Sequence, residues 1–141
     1  MNLSARSIYA CLASIELAQQ YSTGSPVQIR LISERHEIPS RFLVQILLQL
    51  KSAALVTGTR GASGGYQLAK SPDEISLWEI IEAVETSSET PAPSGEQSSE
   101  RRVLSGIWKQ AFHAYQSTLK KTTLEQVVEQ LGTGGDPMYF I

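Results

Sequence analysis

The sequence predicts a mainly helical fold with a small two-stranded β wing. Three observations predict it. Three segments with helical apolar spacing fill residues 4–54. A glycine-rich stretch, TRGASGGYQL at 59–68, lies between two short strand-like runs. A long amphipathic segment at 101–121 follows a Ser/Pro/Glu-rich stretch.

The elements follow in order. SARSIYACLASIELAQQ (4–20) carries Ile8, Cys11, Ile15 and Ala18 at 3-4-3 spacing, one helix face, with Ser4 as N-cap. YSTGSP ends it. VQIRLISERHEI (27–38) reads as a shorter helix with Ile29 and Ile32 inward, and Gln28 is a poorer cap than Ser or Thr. In PSRFLVQILLQLKSAAL (39–55), Pro39 suits a first turn, and Leu43, Ile46, Leu47, Leu50 and Ala54 form the buried stripe. Ser40, Arg41, Val44, Gln45 and Leu48 then point elsewhere.

Leu55 and Val56 open a strand, Tyr66 to Ala69 form its return, and the glycines make the tip. In SPDEISLWEIIEAVE (71–85), Ser76 and Glu79 make a capping box ahead of Leu77, Ile80, Ile81 and Val84. Residues 86–100, TSSETPAPSGEQSSE, have no periodicity and read as a mobile linker. Segment 101–121 places Leu104, Trp108, Ala111, Tyr115 and Leu119 at 4-3-4-4 spacing, a coiled-coil-like seam. TTLEQVVEQL is a last short helix, with Thr122 and Glu125 as a second capping box, before a turn-rich, then apolar tail. The division is 1–85, a linker at 86–100, and 101–141.

Composition narrows the function classes. The chain is 41% hydrophobic, enough for a core, and its longest apolar run carries Glu16 and is too short for a bilayer span. A cytoplasmic protein is the expectation. The single cysteine, Cys11, allows no internal disulfide, and its place on the first helix favours a small core hydrophobe over a reactive thiol. Net charge is −2 but unevenly spread. Residues 1–70 hold seven Lys/Arg against three acids, and residues 71–141 hold five against eleven. A basic half that meets a polyanion and an acidic half that does not would look like this.

Enzyme chemistry finds no footing. After GASGG comes Tyr66 rather than the Lys-Ser/Thr of a phosphate-binding loop, and the loop joins two strands rather than a strand and a helix. His36 and His113 lie far apart without partners at metal-ligand spacing. No nucleophile, base and orienter come together.

Three helices and a wing form the helix-turn-helix order, in which the later helix enters the major groove. The turn falls at RHEIPS (35–40), with Ser40, Arg41 and Gln45 just beyond it. Arg can pair with guanine and Gln with adenine through two hydrogen bonds each, and Val44 and Leu48 can touch thymine methyl groups. At the wing, Gly61, Gly64 and Gly65 let backbone approach a phosphate, and Arg60 can enter a minor groove.

These segments resemble the Rrf2 family of bacterial winged helix-turn-helix regulators, the IscR/NsrR-like repressors, over most of 3–85 and more weakly over 103–131. The family's wing signature, Arg-Gly-x-x-Gly-Gly-Tyr, is complete as Arg60, Gly61, Gly64, Gly65 and Tyr66. Ile38-Pro39 and Leu43 with Gln45-Ile46-Leu47 also fit. The resemblance implies a transcription regulator, a repressor, binding a roughly palindromic double-stranded DNA operator as a homodimer. It implies recognition positions at Ser40, Arg41, Phe42 and Gln45, and a minor-groove arginine at Arg60. It also implies a dimer helix at 101–121 whose contact face is Leu104, Trp108, Ala111, Tyr115 and Leu119. Phe42 stands where the family often has Tyr and lacks the hydroxyl for a phosphate contact.

Many members hold an iron–sulfur cluster on three closely spaced cysteines near 86–102. Here that stretch contains none, so no cluster, metal or other cofactor is expected. Relatives without a cluster answer to other signals, which implies an effector, small molecule or protein, of unspecified identity. The second reading is a winged-helix protein-interaction module that does not bind DNA directly, which the overall acidity suits.

Overall fold

The computed structural model describes residues 3–85 and 98–132; the core of the expected linker and the tail beyond 132 lie outside them. The first helix, α1 (Ala5–Gln19), starts at Ser4, whose side chain accepts a hydrogen bond from the Ser7 amide at 3.2 Å. Its buried face is rotated from the predicted one: Ala18 is buried as predicted, and Cys11 and Ile15 pack at the edge of the core, but Ile8 does not. Ala10, Ala13 and Leu17 are buried together with Ser7, Ser14 and Glu16, whereas Ile8 is 44% exposed and Cys11 and Ile15 are half-buried. The reason is crowding. Helix α1 packs against four other helices, α2, α3, α4 and α6, and small side chains let helix axes approach closely.

Helix α2 (Ile29–His36) buries Ile32 and packs Ile29 against the core, as predicted, and Gln28 forms no side-chain cap. Three residues separate it from α3 (Ser40–Ser52). Glu37 sits at φ 54°, and the Ile38 amide donates to the Ser33 carbonyl at 3.1 Å, closing the end of α2. The Ser33 hydroxyl also donates to the Ile38 carbonyl at 2.6 Å and lies 3.2 Å from the Ser40 hydroxyl, so one serine holds both sides of the turn.

Helix α3 buries Leu43, Ile46, Leu47 and Leu50, but not Ala54. The helix ends at Ser52, and Ala54 is exposed with φ 61°. There the Leu55 amide donates back to the Leu50 carbonyl, aiming the chain into β1. The wing pairs β1 (Val56–Thr59) with β2 (Gly65–Leu68) in antiparallel register, Val56 opposite Leu68 and Thr59 opposite Gly65. Val27, ahead of α2, adds a bridge to Tyr66 through two backbone bonds of 2.8 Å.

Helix α4 (Leu77–Val84) buries Ile80, Ile81 and Val84. Half of its predicted capping box forms: Ser76 accepts from the Glu79 amide, but the Glu79 carboxylate pairs with Lys70 at 3.4 Å. The long helix α5 (Ser99–Lys121) begins at the cap Ser98, so the last residues assigned to the linker are helical. In α6 (Leu124–Gly132) the box closes one residue later than predicted. Thr123 accepts from the Gln126 amide at 3.2 Å, and the Gln126 side chain accepts from the Thr123 amide at 3.0 Å. Leu124 is fully buried, so α6 completes the core made by residues 10–84.

One charged group lies in this core. Glu16 is fully buried, with Arg35 at 3.2 Å and His36 at 3.6 Å. The pair ties the end of α2 to α1 and so fixes the platform on which α3 stands.

Candidate nucleic-acid interface

Ser40, Arg41, Phe42 and Gln45 are all exposed on the first turns of α3. Burial of Leu43, Ile46 and Leu47 on the opposite side forces this. Val44 and Leu48 share the exposed side at 39% and 51% exposure. The Arg41 guanidinium carbon lies 5.3 Å from the centre of the Phe42 ring, a cation–π contact that keeps the cation near the start of the helix. Phe42 therefore has a role that needs no hydroxyl.

The wing tip divides its labour. Arg60 and Gly61 are exposed, whereas Gly64 is buried and Gly65 half-buried. A Cβ on Gly64 would lie 2.2 Å from the Thr59 carbonyl oxygen, and one on Gly65 would lie 2.4 Å from that of Val27. Gly61 takes φ 108° with open space around it. Gly64 and Gly65 thus shape the hairpin, and the surface of the tip runs from Arg60 to Ser63, with Arg60 its one charge.

Helix and wing meet in one cleft of about 530 Å³, between Gln28, Leu48 and Lys51 on one side and Gly58, Arg60 and Gly61 on the other. Two cations and no carboxylate line it. Lys51 closes it from the end of α3, where the sequence offered no reason to look. Arg6 was also missed. From α1 it donates to the side-chain oxygens of Gln45 and Gln49, each at 3.4 Å. Arg6 reaches α3, and Lys51 meets the wing, only through tertiary packing, and no local motif marks either.

Away from this cleft, α5 leaves Val103, Leu104, Ile107, Trp108 and Phe112 between 45% and 63% exposed. The predicted seam divides there. Leu104 and Trp108 belong to this exposed row, while Ala111, Tyr115 and Leu119 are half-buried. Tyr115 and Phe112 meet Trp78 of α4 edge-on, with ring centres 6.5 Å and 6.1 Å apart.

Cys11 is half-buried beside this region, and burial pushes its thiol up to about 11, which keeps it protonated at neutral pH. A cluster held by three or four thiolates does not fit this donor set, because the chain has one cysteine to offer. No helix among the described residues is long and apolar enough to cross a membrane.

Comparison with known proteins agrees with this geometry. The family model Rrf2, described as "Iron-dependent Transcriptional regulator", matches residues 3–130. The protein slr0846 of Synechocystis sp. is 37% identical over 126 residues, 88% of this chain and 85% of that one. The HTH-type transcriptional regulator IscR of Klebsiella pneumoniae is 30% identical over 131 residues, 91% of this chain and 80% of that one. Among solved structures, T. potens IscR superposes with a TM-score of 0.79 at 28% identity, covering 93% of this chain and 88% of that one. CymR, the global cysteine regulator of B. subtilis, gives 0.76 at 28% identity, covering 92% and 97%. The exposed start of α3, the wing beside it and the match over residues 3–130 make this chain a member of the Rrf2 family of transcriptional regulators.

Proposed function

We propose that this regulator is a cytoplasmic repressor that binds a roughly palindromic operator as a homodimer, without an iron–sulfur cluster. The observation that carries the reading is the cleft shared by α3 and the wing tip, lined by two cations and no acid. Ser40, Arg41, Phe42 and Gln45 enter the major groove, and Arg60 reaches the adjacent minor groove, aimed by Gly61, Gly64 and Gly65. Lys51 meets backbone phosphate between them.

The exposed apolar row of α5 supports the dimer. A monomer rarely leaves five large apolar side chains open on one helix, and two copies joined by a two-fold axis would cover the row. Two-fold symmetry then dictates a palindrome with half-sites about 34 Å apart or a multiple of it. With Cys11 protonated and no cysteine elsewhere, the signal is an effector, small molecule or protein, rather than a cluster.

Titration of a captured operator fragment with the parent, Arg41→Ala and Arg60→Ala tests the interface. Both variants should weaken binding, and Arg60→Ala should lower the salt slope by about one if it contacts phosphate. Parent-like binding by both would remove the assignment. Light scattering should show a dimer that Trp108→Glu dissociates. Purified protein should carry neither iron nor sulfide.

A further inference from the structure

Gln45 is not a free amide. The Arg6 guanidinium donates from one terminal nitrogen to the Gln45 side-chain oxygen and from the other to that of Gln49, one helical turn further on. Arginine has five donors and no acceptor. The two amides can therefore turn only their oxygens toward it, which settles an orientation that an amide facing water would leave open. Arg6 is itself half-buried on α1, a helix fixed to the core along its length, so the clamp comes from a rigid wall.

The consequence is chemical. A Gln that reads adenine needs both ends of its amide at the base edge, the oxygen accepting from N6 and the nitrogen donating to N7. With the oxygen drawn back to Arg6, Gln45 presents a donor edge. Guanine offers two acceptors, N7 and O6, in the same part of the groove. The nearby guanidinium charge also favours that acceptor edge over the donor hydrogens of adenine.

We infer that Arg6 is a positioning residue that sets the base Gln45 reads, turning it from an adenine reader into a guanine reader by holding the amide oxygen. The inference rests on the DNA-binding reading above and deepens it at one position of each half-site.

Selection from a duplex library with randomised half-sites tests it, using the full chain. The parent should enrich guanine at one position per half-site, and Gln45→Ala should flatten that position alone. Arg6→Met should move the preference there to adenine by about tenfold, with other positions unchanged. Arg6→Lys, whose ammonium also only donates, should restore guanine. If Arg6→Met does not fold, as read by circular dichroism, Arg6→Gln carries the same test, because its amide can accept as well as donate. A parent that enriches no duplex overturns the DNA-binding reading itself. A parent motif that Arg6→Met and Arg6→Gln leave unchanged, or an adenine at the Gln45-dependent position of the parent, overturns the role of Arg6 and leaves DNA binding standing.

Discussion

Replacing Gly65 by Ala should damage the wing more than any other single methyl added at its tip except at Gly64. The new Cβ would lie 2.4 Å from the Val27 carbonyl oxygen and 2.6 Å from its carbon, both backbone atoms that cannot swing aside. Relief requires Val27 and β2 to part. That breaks the two 2.8 Å bonds between Val27 and Tyr66. Two backbone bonds contribute about 1 kcal/mol each, and forced overpacking costs about 1–3 kcal/mol more. The total, about 3–5 kcal/mol, is a large share of a stability of about 5–15 kcal/mol. For a chain of this size it corresponds to a fall in Tm of about 10–15 °C.

Gly61→Ala is the control. It meets no atom within 4 Å and carries only the penalty of its φ of 108°, about 1–2 kcal/mol. Thermal melts by circular dichroism, with amide exchange at Val27 and Tyr66, read both variants. A Gly65→Ala protein that melts within about 2 °C of the parent, or that tolerates the methyl better than Gly61→Ala does, would refute the packing argument.

Three further outcomes follow from named groups. Cys11 should alkylate slowly at pH 8, where about one thiol in a thousand is ionised, and faster as pH approaches 11. Its raised pKa also means that its contribution to stability is complete below about pH 8.5 and is lost as pH rises through about 11, a loss that Cys11→Ala removes in alkaline melts. Glu85 accepts hydrogen bonds from the Ser4 and Ser7 hydroxyls, which hold its carboxyl below the usual range, so its contribution is present at neutral pH and fades as the solution is acidified below the ordinary glutamate value. Acid titration of Glu85→Gln should show a shallower loss than the parent, and an unchanged acid limb would rule this out. Arg35→Ala leaves buried Glu16 with His36 alone and should cost about 3 kcal/mol in urea melts, more than Glu16→Gln; the reverse order would show that the pair is not what holds α2 to α1.

Legibility in the sequence followed the size of the signal. The stripe of α3 was plain because Leu43, Ile46, Leu47 and Leu50 are large and their spacing has one solution on a helix. The face of α1 was misplaced by the same weighting. Ile8 outweighs Ala10 and Ala13 on any apolar scale, yet a helix crossed by four neighbours buries its small residues. The box at Thr123 was displaced by one residue because Glu125 and Gln126 both suit the reciprocal position. The Val27–Tyr66 bridge, buried Glu16 and the docking of Leu124 depend on long-range contacts that no local pattern carries. Within the candidate interface, the exposed start of α3 and Arg60 lay beside recognisable turn chemistry. Arg6 and Lys51 did not, since their neighbours in space are distant in sequence or belong to another element.

Backbone hydrogen bonds tie helix α5 to the core at its C-terminal end, and Phe112 and Tyr115 rest on Trp78 near its middle. The Leu77 amide donates to the Thr122 carbonyl at 2.9 Å, the Leu124 amide donates to that of Ile75 at 3.0 Å, and Leu124 sits in the core. The helix itself contributes no buried residue. The helix is about 34 Å long at 1.5 Å per residue, so a small change of angle near Thr122 is magnified at Ser99. A rotation of about 5° near Thr122 swings the Ser99 end by about 3 Å. The same angle is felt at the Trp78 ring and, through α4, at Glu85 and the first turn of α1, so the long helix and the DNA-facing helices share one packed path.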